Sequence, residues 1–200
     1  MELVRCETCS KWDALVSASP QGTIFCRTDF LKALNVGYEL WWVVENGRAE
    51  LGALLLVDQH GEASCAPFSF SLYHGILFDG CFSTLPPHTA VQRGLELVEF
   101  LLHNLKEHYR RISFCLHPAF PDVRGFTWFH YHEPDQGQFN VEVNYTGWIE
   151  LNGVSDFDSY LTKIRKVRRY EGRKALREGG WPFRLGEARA SIMRGLLEKG

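Results

Sequence analysis

The sequence YELWWVVENGRAELGALLLV occupies residues 38–57 and contains the strongest local folding signal in the chain. Two runs rich in apolar and β-forming residues flank Asn46 and Gly47, a dipeptide typical of the type I′ turn because that turn needs positive φ at both central positions. The second run becomes almost entirely apolar toward its end. A strand of this composition is usually covered on both faces, so the stretch predicts a hairpin whose second strand is central in a sheet.

Upstream of the hairpin, polar caps and turn residues predict one short strand followed by two short helices. The predicted elements are a strand at 3–5, a helix at 11–17 capped by Ser10, and a helix at 30–34 capped by Thr28 or Asp29.

Downstream, the clearest feature is a helix predicted over residues 87–109. Apolar residues recur at helical spacing from Val91 to Tyr109, and Pro87 is tolerated in the first turn because its missing N–H would be unpaired there. The remaining predictions are strands at 62–67, 71–78, 110–116, 139–151 and 181–185, and helices at 122–131, 156–177 and 188–199. This order predicts an α+β (mixed α/β) fold.

Composition indicates a globular protein with enough apolar residues for a sizeable core, since 45% of the 200 residues are hydrophobic. No apolar run approaches the 18 or so residues of a membrane span, and the N-terminal sequence MELVRCETCSKWD lacks the apolar region of a signal peptide. We therefore expect a soluble, cytoplasmic protein. Cys6 and Cys9 have metal-knuckle spacing, but no second ligand pair follows, so no metal site is predicted.

Residues 160–177, YLTKIRKVRRYEGRKALR, hold eight lysines and arginines and a single acid, Glu171, in a chain of net charge −2. Ser155 and Asp158 have capping-box spacing ahead of this helix, Leu161, Ile164 and Val167 fall on one apolar stripe, and Gly172 is expected to interrupt it. One interpretation is a solvated charged face. The other is anion binding, which the excess of arginine over lysine favours.

The acetyltransferase phosphate loop has the form Q/R-x-x-G-x-G/A at the start of a helix. The run from Arg169 to Lys174 comes nearest, but it ends in lysine where a small residue is needed and lies within a predicted helix. No coenzyme A loop is therefore predicted there. The candidate phosphate-binding side chains of this stretch, which would hold the donor if the chain is a transferase, are Arg165, Arg168, Arg169, Arg173 and Lys174.

A second candidate site lies in the segment PFSFSLYHGILFD at residues 67–79. It places Tyr73, His74, Gly75 and Asp79 around a predicted strand, and such polar tips can line a substrate groove. The alternative is a core strand with a glycine bulge and a turn aspartate.

Several of these stretches, taken together and in order, resemble the FemAB-like branch of the acetyltransferase-like (GNAT-like) proteins. The resembling stretches are WDALV at 12–16, GTIF at 22–25, FLKAL at 30–34, the hairpin at 41–57, the segment at 67–79 and YTGWIEL at 145–151 followed by the basic stretch. By position, Asp79 is similar to the family's acceptor-binding aspartate.

The resemblance implies an acyl or aminoacyl transferase with a mixed sheet flanked by helices and a C-terminal helical and strand appendage. Residues 1–152 would form the first acetyltransferase-like half, and 153–200 the basic helix and the start of an incomplete second half. An acyl-CoA or aminoacyl-tRNA would be the donor, and a small or nucleotide-linked amine the acceptor.

Two other functions fit the same sequence. The chain is alternatively a non-catalytic binding module whose basic helix grips nucleotide phosphates, RNA or an acidic partner, although its acidic composition argues against a dedicated nucleic-acid domain. It is alternatively a half-enzyme completed by homodimerisation.

Overall fold

A computed structural model describes residues 1–63, 72–147 and 152–177. The chain divides into two compact units, Met1–Glu142 and Val143–Gly200, whereas the sequence placed the boundary between residues 152 and 153. The described residues confirm a mixed α+β fold, with six α-helices and a four-stranded sheet. The predicted strand at 181–185 and the helix at 188–199 lie outside the described residues.

The first unit is built on an antiparallel sheet of four strands in the order β1-β2-β3-β4. The strands are β1 (Glu2–Arg5), β2 (Gly37–Glu45), β3 (Arg48–Val57) and β4 (Ile76–Phe78). All three pairings are antiparallel, so the sheet is not mixed in the part of the chain described here. The hairpin prediction is confirmed, because Asn46 and Gly47 both have positive φ, at 52° and 78°.

One face of the sheet is covered by α1 (Cys9–Ala18) and α2 (Thr28–Ala33). Leu54 and Leu56 of β3 pack there with Trp12, whose indole N–H donates to the Cys26 carbonyl at 2.7 Å. The helix begins after Thr8 rather than Ser10. Asp13 of α1 accepts from the Thr28 amide and hydroxyl at 2.9 and 2.7 Å, so a side chain from outside caps the start of α2.

The opposite face is covered by α3 (Pro87–Leu105). Leu51 and Leu55 of β3 pack against its apolar side, which confirms that β3 is buried on both faces. The helix ends four residues before the predicted Tyr109. Beyond Leu105 the chain tightens into a turn, and the Tyr109 hydroxyl is instead bonded to Glu39 and to the indole N–H of Trp41.

The strands predicted at 71–78 and 110–116 are largely absent from the described residues. Gly75 has φ of +143°, and β4 comprises only the three residues that follow it. Gln21 is buried and its side-chain oxygen accepts from the Phe78 amide, so a side chain occupies a hydrogen-bonding position where a fifth strand would pair. Among the described residues, Cys115 forms an isolated antiparallel bridge with His74, two residues before β4.

Two further predictions are corrected here. The helix predicted at 122–131 shortens to α4 (Arg124–Thr127). The strand predicted at 139–151 is irregular over its described part, 139–147. Its alternating apolar residues are exposed, up to 98% at Tyr145, so burial does not support the pattern. The strand predicted at 62–67 shows a single bridge, Val57 to Ala63, and residues 64–67 lie outside the described part.

The second unit contains α5 (Phe157–Lys163) and α6 (Lys166–Arg177), where the sequence predicted one helix. The break falls at extended Ile164, not at Gly172, which packs against Leu161 and Phe157. The capping box is formed by Asp156 and Ser159, one residue later than the predicted pair. The predicted apolar stripe fails because Val167 is 67% exposed.

Across the described residues, no helix is both long enough and apolar enough to cross a membrane.

Candidate functional site

The first unit has an open cavity of about 450 Å³ between α1 and the β2–β3 hairpin. Its lining combines small and apolar residues with one cation and one carboxylate: Lys11, Ala14, Leu15, Ala18, Trp42, Val44, Gly47, Ala49 and Asp79. Asp79 is the residue that the sequence singled out as an acceptor ligand. We refer to this space as the α1–hairpin cavity.

Asp79 is fixed in place from three directions. It follows β4 directly and caps a 3₁₀ turn at Gly80–Thr84, where its Oδ1 accepts from the Cys81 amide at 2.9 Å. The same oxygen accepts from the Arg48 guanidinium at 2.5 Å, and the Asp79 amide donates to the Glu50 carbonyl at 3.1 Å. The Cys81 side chain also forms a hydrogen bond with the Asp79 carboxylate.

The charges around Asp79 keep its carboxylate ionised. Partial burial raises the pKa of Asp79, but the hydrogen bonds from the Cys81 amide and Arg48 outweigh it and hold that pKa below its usual range. Contacts with Cys81 and then Asp79 raise the pKa of Arg48. Arg48 also lies 3.7 Å from Glu50, so one guanidinium faces two carboxylates and the cluster keeps one net negative charge.

The other predicted substrate residues lie at the opposite end of β4. His74 is buried and its backbone bridges Cys115, while the ring of Tyr73 packs edge-on against His117 at 5.1 Å. His74 and Asp79 are five positions apart, about 16 Å in an extended chain. The structure therefore does not bring Asp79 together with Tyr73, His74 and Gly75 in one cavity.

Gly75 has a structural explanation in this region. A Cβ there would lie 3.3 Å from the Phe114 Cβ, and the φ of +143° is strained for any other residue. His117 nearby accepts the Ala119 amide on Nδ1 at 3.0 Å, and burial lowers its pKa, so its imidazole is neutral.

The second unit has its own candidate surface on α6, an open concavity of about 660 Å³. We call it the basic face; its lining residues are Lys166, Arg169, Tyr170, Arg173 and Arg177. These positions recur at three- and four-residue intervals and so share one side of the helix. Of this set the sequence analysis named only Arg169 and Arg173. Helical spacing counted from Arg173 would have added Lys166, Tyr170 and Arg177.

The predicted cations divide between different roles. Arg173 lines the basic face. Arg169 also lines it, but its guanidinium donates to the carbonyls of Thr162 and Ile164 at 3.2 and 3.3 Å and so holds the end of α5.

The other three predicted cations lie outside that lining. Arg168 is exposed and paired with Glu171 at 2.8 Å. Arg165 is exposed at the break between α5 and α6, and Lys174 is exposed on α6. The run from Arg169 to Lys174 lies wholly within α6, where its amides serve the helix, so it cannot act as a phosphate loop.

Residues 1–63, 72–147 and 152–177 contain no group of three His, Cys, Asp or Glu side chains arranged to hold a metal ion. Cys6 bonds to the Thr8 carbonyl at 3.5 Å and Cys9 receives a bond from Lys32 at 3.5 Å. Comparison with known proteins found no matching family model, no matching curated protein and no matching solved structure.

Proposed function

We propose that the chain is an acyl or aminoacyl transferase of the FemAB-like, acetyltransferase-like type, in which α6 recognises the phosphates of the donor. The observation that carries the proposal is the basic face, where four cations surround one exposed tyrosine. The described residues form a mixed α+β fold with helices on both faces of an antiparallel sheet.

The basic face places like charges close together on one side of α6. Arg169, Arg173 and Arg177 follow one another at four-residue spacing, and each such like-charged pair destabilises a helix by roughly 0.2–0.5 kcal/mol. Among the described residues of α6, the acid Glu171 pairs with Arg168, away from this lining. A bound phosphate or pyrophosphate would relieve the repulsion through charge-assisted hydrogen bonds.

The transfer itself needs few groups from the protein. The acceptor's neutral amine attacks the carbonyl carbon of a thioester or aminoacyl ester, the carbon–sulfur or carbon–oxygen bond breaks, and the amine's proton leaves with solvent or the departing thiolate or alkoxide. Positioning and backbone donors supply most of the rate enhancement in such reactions. Asp79 would bind the acceptor as an ammonium before that proton is lost.

Calorimetric titration with acetyl-CoA tests donor recognition. Arg173→Ala combined with Arg177→Ala should weaken binding about 10- to 100-fold, because a hydrogen bond to a charged group contributes about 1.5–3 kcal/mol. Arg168→Ala is the matched control, since it removes an exposed arginine of the same helix that is paired with Glu171. Arg169 is unsuitable, because it also supports α5. Equal affinities in all three proteins would refute the proposal.

Tyr170 favours one second candidate, an RNA-binding module. Its ring is 62% exposed between cations, and aromatic rings interleaved with arginines stack on bases of single strands. Oligouridine binding that weakens steeply with salt and is lost in Tyr170→Ala, without acetyl-CoA binding, would favour this module over the transferase. A salt-independent signal would exclude it.

A further inference from the structure

The α1–hairpin cavity has charges of opposite sign at its two ends. Lys11 lies in the first turn of α1, and Ala18 is the last residue of that helix. Gly80 packs against Ala18, since a Cβ on Gly80 would lie 3.0 Å from the Ala18 carbonyl oxygen. Asp79 precedes Gly80 and therefore lies at the Ala18 end. Lys11 and Ala18 are seven positions apart in the helix, about 10 Å along its axis.

The negative end remains available to a ligand. Arg48 is shared between Asp79 and Glu50, so its positive charge does not neutralise both carboxylates. Arg48 and the Cys81 amide bond to Oδ1, and the Cys81 side chain also hydrogen-bonds the carboxylate, whose two oxygens offer about four acceptor positions, so capacity for a ligand remains. A ligand ammonium is the natural complement of a partly exposed cluster with one net negative charge.

Small and apolar residues form the rest of the cavity lining. Ala14 and Ala18 are one helical turn apart on α1, and Ala49 faces them from β3, so no long side chain fills the space. Trp42 and Val44 provide the larger apolar surface and are only partly buried. The volume of about 450 Å³ lies within the usual range for small-molecule sites.

These features together define the length and chemistry of the ligand. An extended peptide covers about 3.3–3.6 Å per residue, so three residues span about 10 Å, the same length as the axial rise of α1 from Lys11 to Ala18. A free peptide carries an ammonium at one terminus and a carboxylate at the other, with side chains between them.

We propose that the α1–hairpin cavity binds a short zwitterionic peptide of about three residues, with its N-terminal ammonium at Asp79 and its C-terminal carboxylate at Lys11. An apolar central side chain lies over Trp42 and Val44. The further assignment of this peptide's terminal amine as the acyl acceptor rests on the proposed function. The proposal that the cavity binds the peptide does not rest on that function.

The test uses the whole chain and the tripeptide Ala-Leu-Ala, titrated by calorimetry at pH 7 and low salt. N-acetylation or C-terminal amidation of the peptide should each weaken binding about tenfold. Asp79→Asn should weaken binding of the free peptide and leave binding of the N-acetylated peptide unchanged. Lys11→Met should likewise weaken binding of the free peptide and leave binding of the C-amidated peptide unchanged. Lys106→Met, an exposed lysine elsewhere, should change nothing.

Two further measurements keep the proposal falsifiable if Asp79→Asn unfolds. Ala14→Phe places a ring in the cavity from an exposed position of α1 and should abolish binding without loss of folding. The capped peptides need no variant at all. Equal affinity for free and capped peptides, or no binding at millimolar concentration, overturns the proposal.

The transferase proposal can fail separately. Peptide binding with the expected end dependence, but no acylation of the peptide when acetyl-CoA is added, supports the cavity and refutes its role in transfer. Acetyl-CoA binding with no peptide binding supports the basic face and refutes the cavity.

Discussion

The sheet unit and the α5–α6 segment hold their structures in different ways. In the sheet unit, β3 buries side chains on both faces. The positions of α1, α2 and α3 are set by their packing against the two faces of the sheet. In α5–α6, Leu161 is buried but most described side chains are exposed. Caps and local hydrogen bonds define these two helices instead. Burial therefore stabilises the first region, whereas local hydrogen bonds stabilise the second. The second region can therefore carry charged side chains on its exposed surface.

That contrast is reflected in the residues at the helix ends. Asp156 and Ser159 exchange hydrogen bonds at the start of α5, and Arg169 reaches back to the carbonyls at its end. By comparison, the start of α2 is capped by Asp13, a residue fifteen positions away in another helix. Changes in the core should therefore affect the whole sheet unit, whereas changes in the caps should affect one helix.

The largest effect is expected for Leu54→Ala in β3. Leu54 is fully buried on the α1 face, and truncating such a leucine lowers the free energy of unfolding by about 2–5 kcal/mol. Val167→Ala in α6 should change it by less than about 0.5 kcal/mol, because that side chain is mostly exposed. Urea denaturation measures both. Similar losses in the two variants would show that α6 is packed like the core.

Gly52→Ala should destabilise the sheet unit by overpacking. A Cβ at Gly52 would lie 2.5 Å from Leu15 Cδ2 and 2.8 Å from Trp12 Cζ3, so α1 must shift away from β3. We expect a loss of about 1–3 kcal/mol in thermal or urea denaturation. Gly147→Ala is the control, since nothing lies within 4 Å of the added Cβ. An unchanged stability for Gly52→Ala would mean that α1 does not pack this closely.

His117 should make the stability of the sheet unit depend on pH. Burial lowers its pKa, so the folded protein takes up a proton less readily than the unfolded chain. The free energy of unfolding that His117 contributes is complete above the pKa of about 6.5 of the unfolded chain. It is lost as the pH falls from there toward the lower pKa of the folded protein.

The slope that this one group contributes cannot exceed about 1.4 kcal/mol per pH unit. Denaturation of His117→Asn between pH 7.5 and 5.5 should therefore show a shallower decline than the unmodified chain, whatever its absolute stability. His132→Asn, at an exposed position, serves as the control. An identical slope in His117→Asn contradicts the expectation. Burial also lowers the pKa of His103, so some pH dependence should remain.

The smallest effect is expected at Asp156. Asp156→Ala removes the acceptor for the Ser159 amide at 2.7 Å and should destabilise α5 by about 1 kcal/mol. Asp156→Asn should retain most of the cap, because asparagine is an equally good N-cap. Amide hydrogen exchange in α5 reports this directly. Faster exchange across α3 in Asp156→Ala would contradict the view that caps act locally.

Local sequence signals predicted the hairpin, the helix from Pro87 and the double-sided burial of β3. They failed where the outcome depended on a distant partner. Residues 110–116 have the composition of a strand, but β4, which would be their partner, has only three residues. The side chain of Gln21 accepts the hydrogen bond from the Phe78 amide, which a neighbouring strand would otherwise accept. Residues 139–147 alternate correctly, yet periodicity alone does not create a strand without a neighbouring edge and burial.

The candidate sites show the same division. Asp79 was identified from the sequence, but its partners Arg48 and Glu50 come from the far end of the hairpin, 29 or more positions away, and could not be read from local spacing. Lys166, Tyr170 and Arg177 could have been found, because helical periodicity places them beside Arg173. Charge content indicated α6 without distinguishing Arg173, which lines the basic face, from Arg168, which does not.

The sequence by itself determined the α+β class, the type I′ hairpin and the concentration of positive charge in one segment, because turn chemistry, apolar periodicity and charge are local properties. Only the tertiary structure decided which strand edges are closed, that Asp79 and Lys11 share a cavity while Tyr73 and His74 lie elsewhere, and that the basic segment breaks at Ile164. Those outcomes depend on hydrogen bonds and packing between residues far apart in the chain, which no local pattern records.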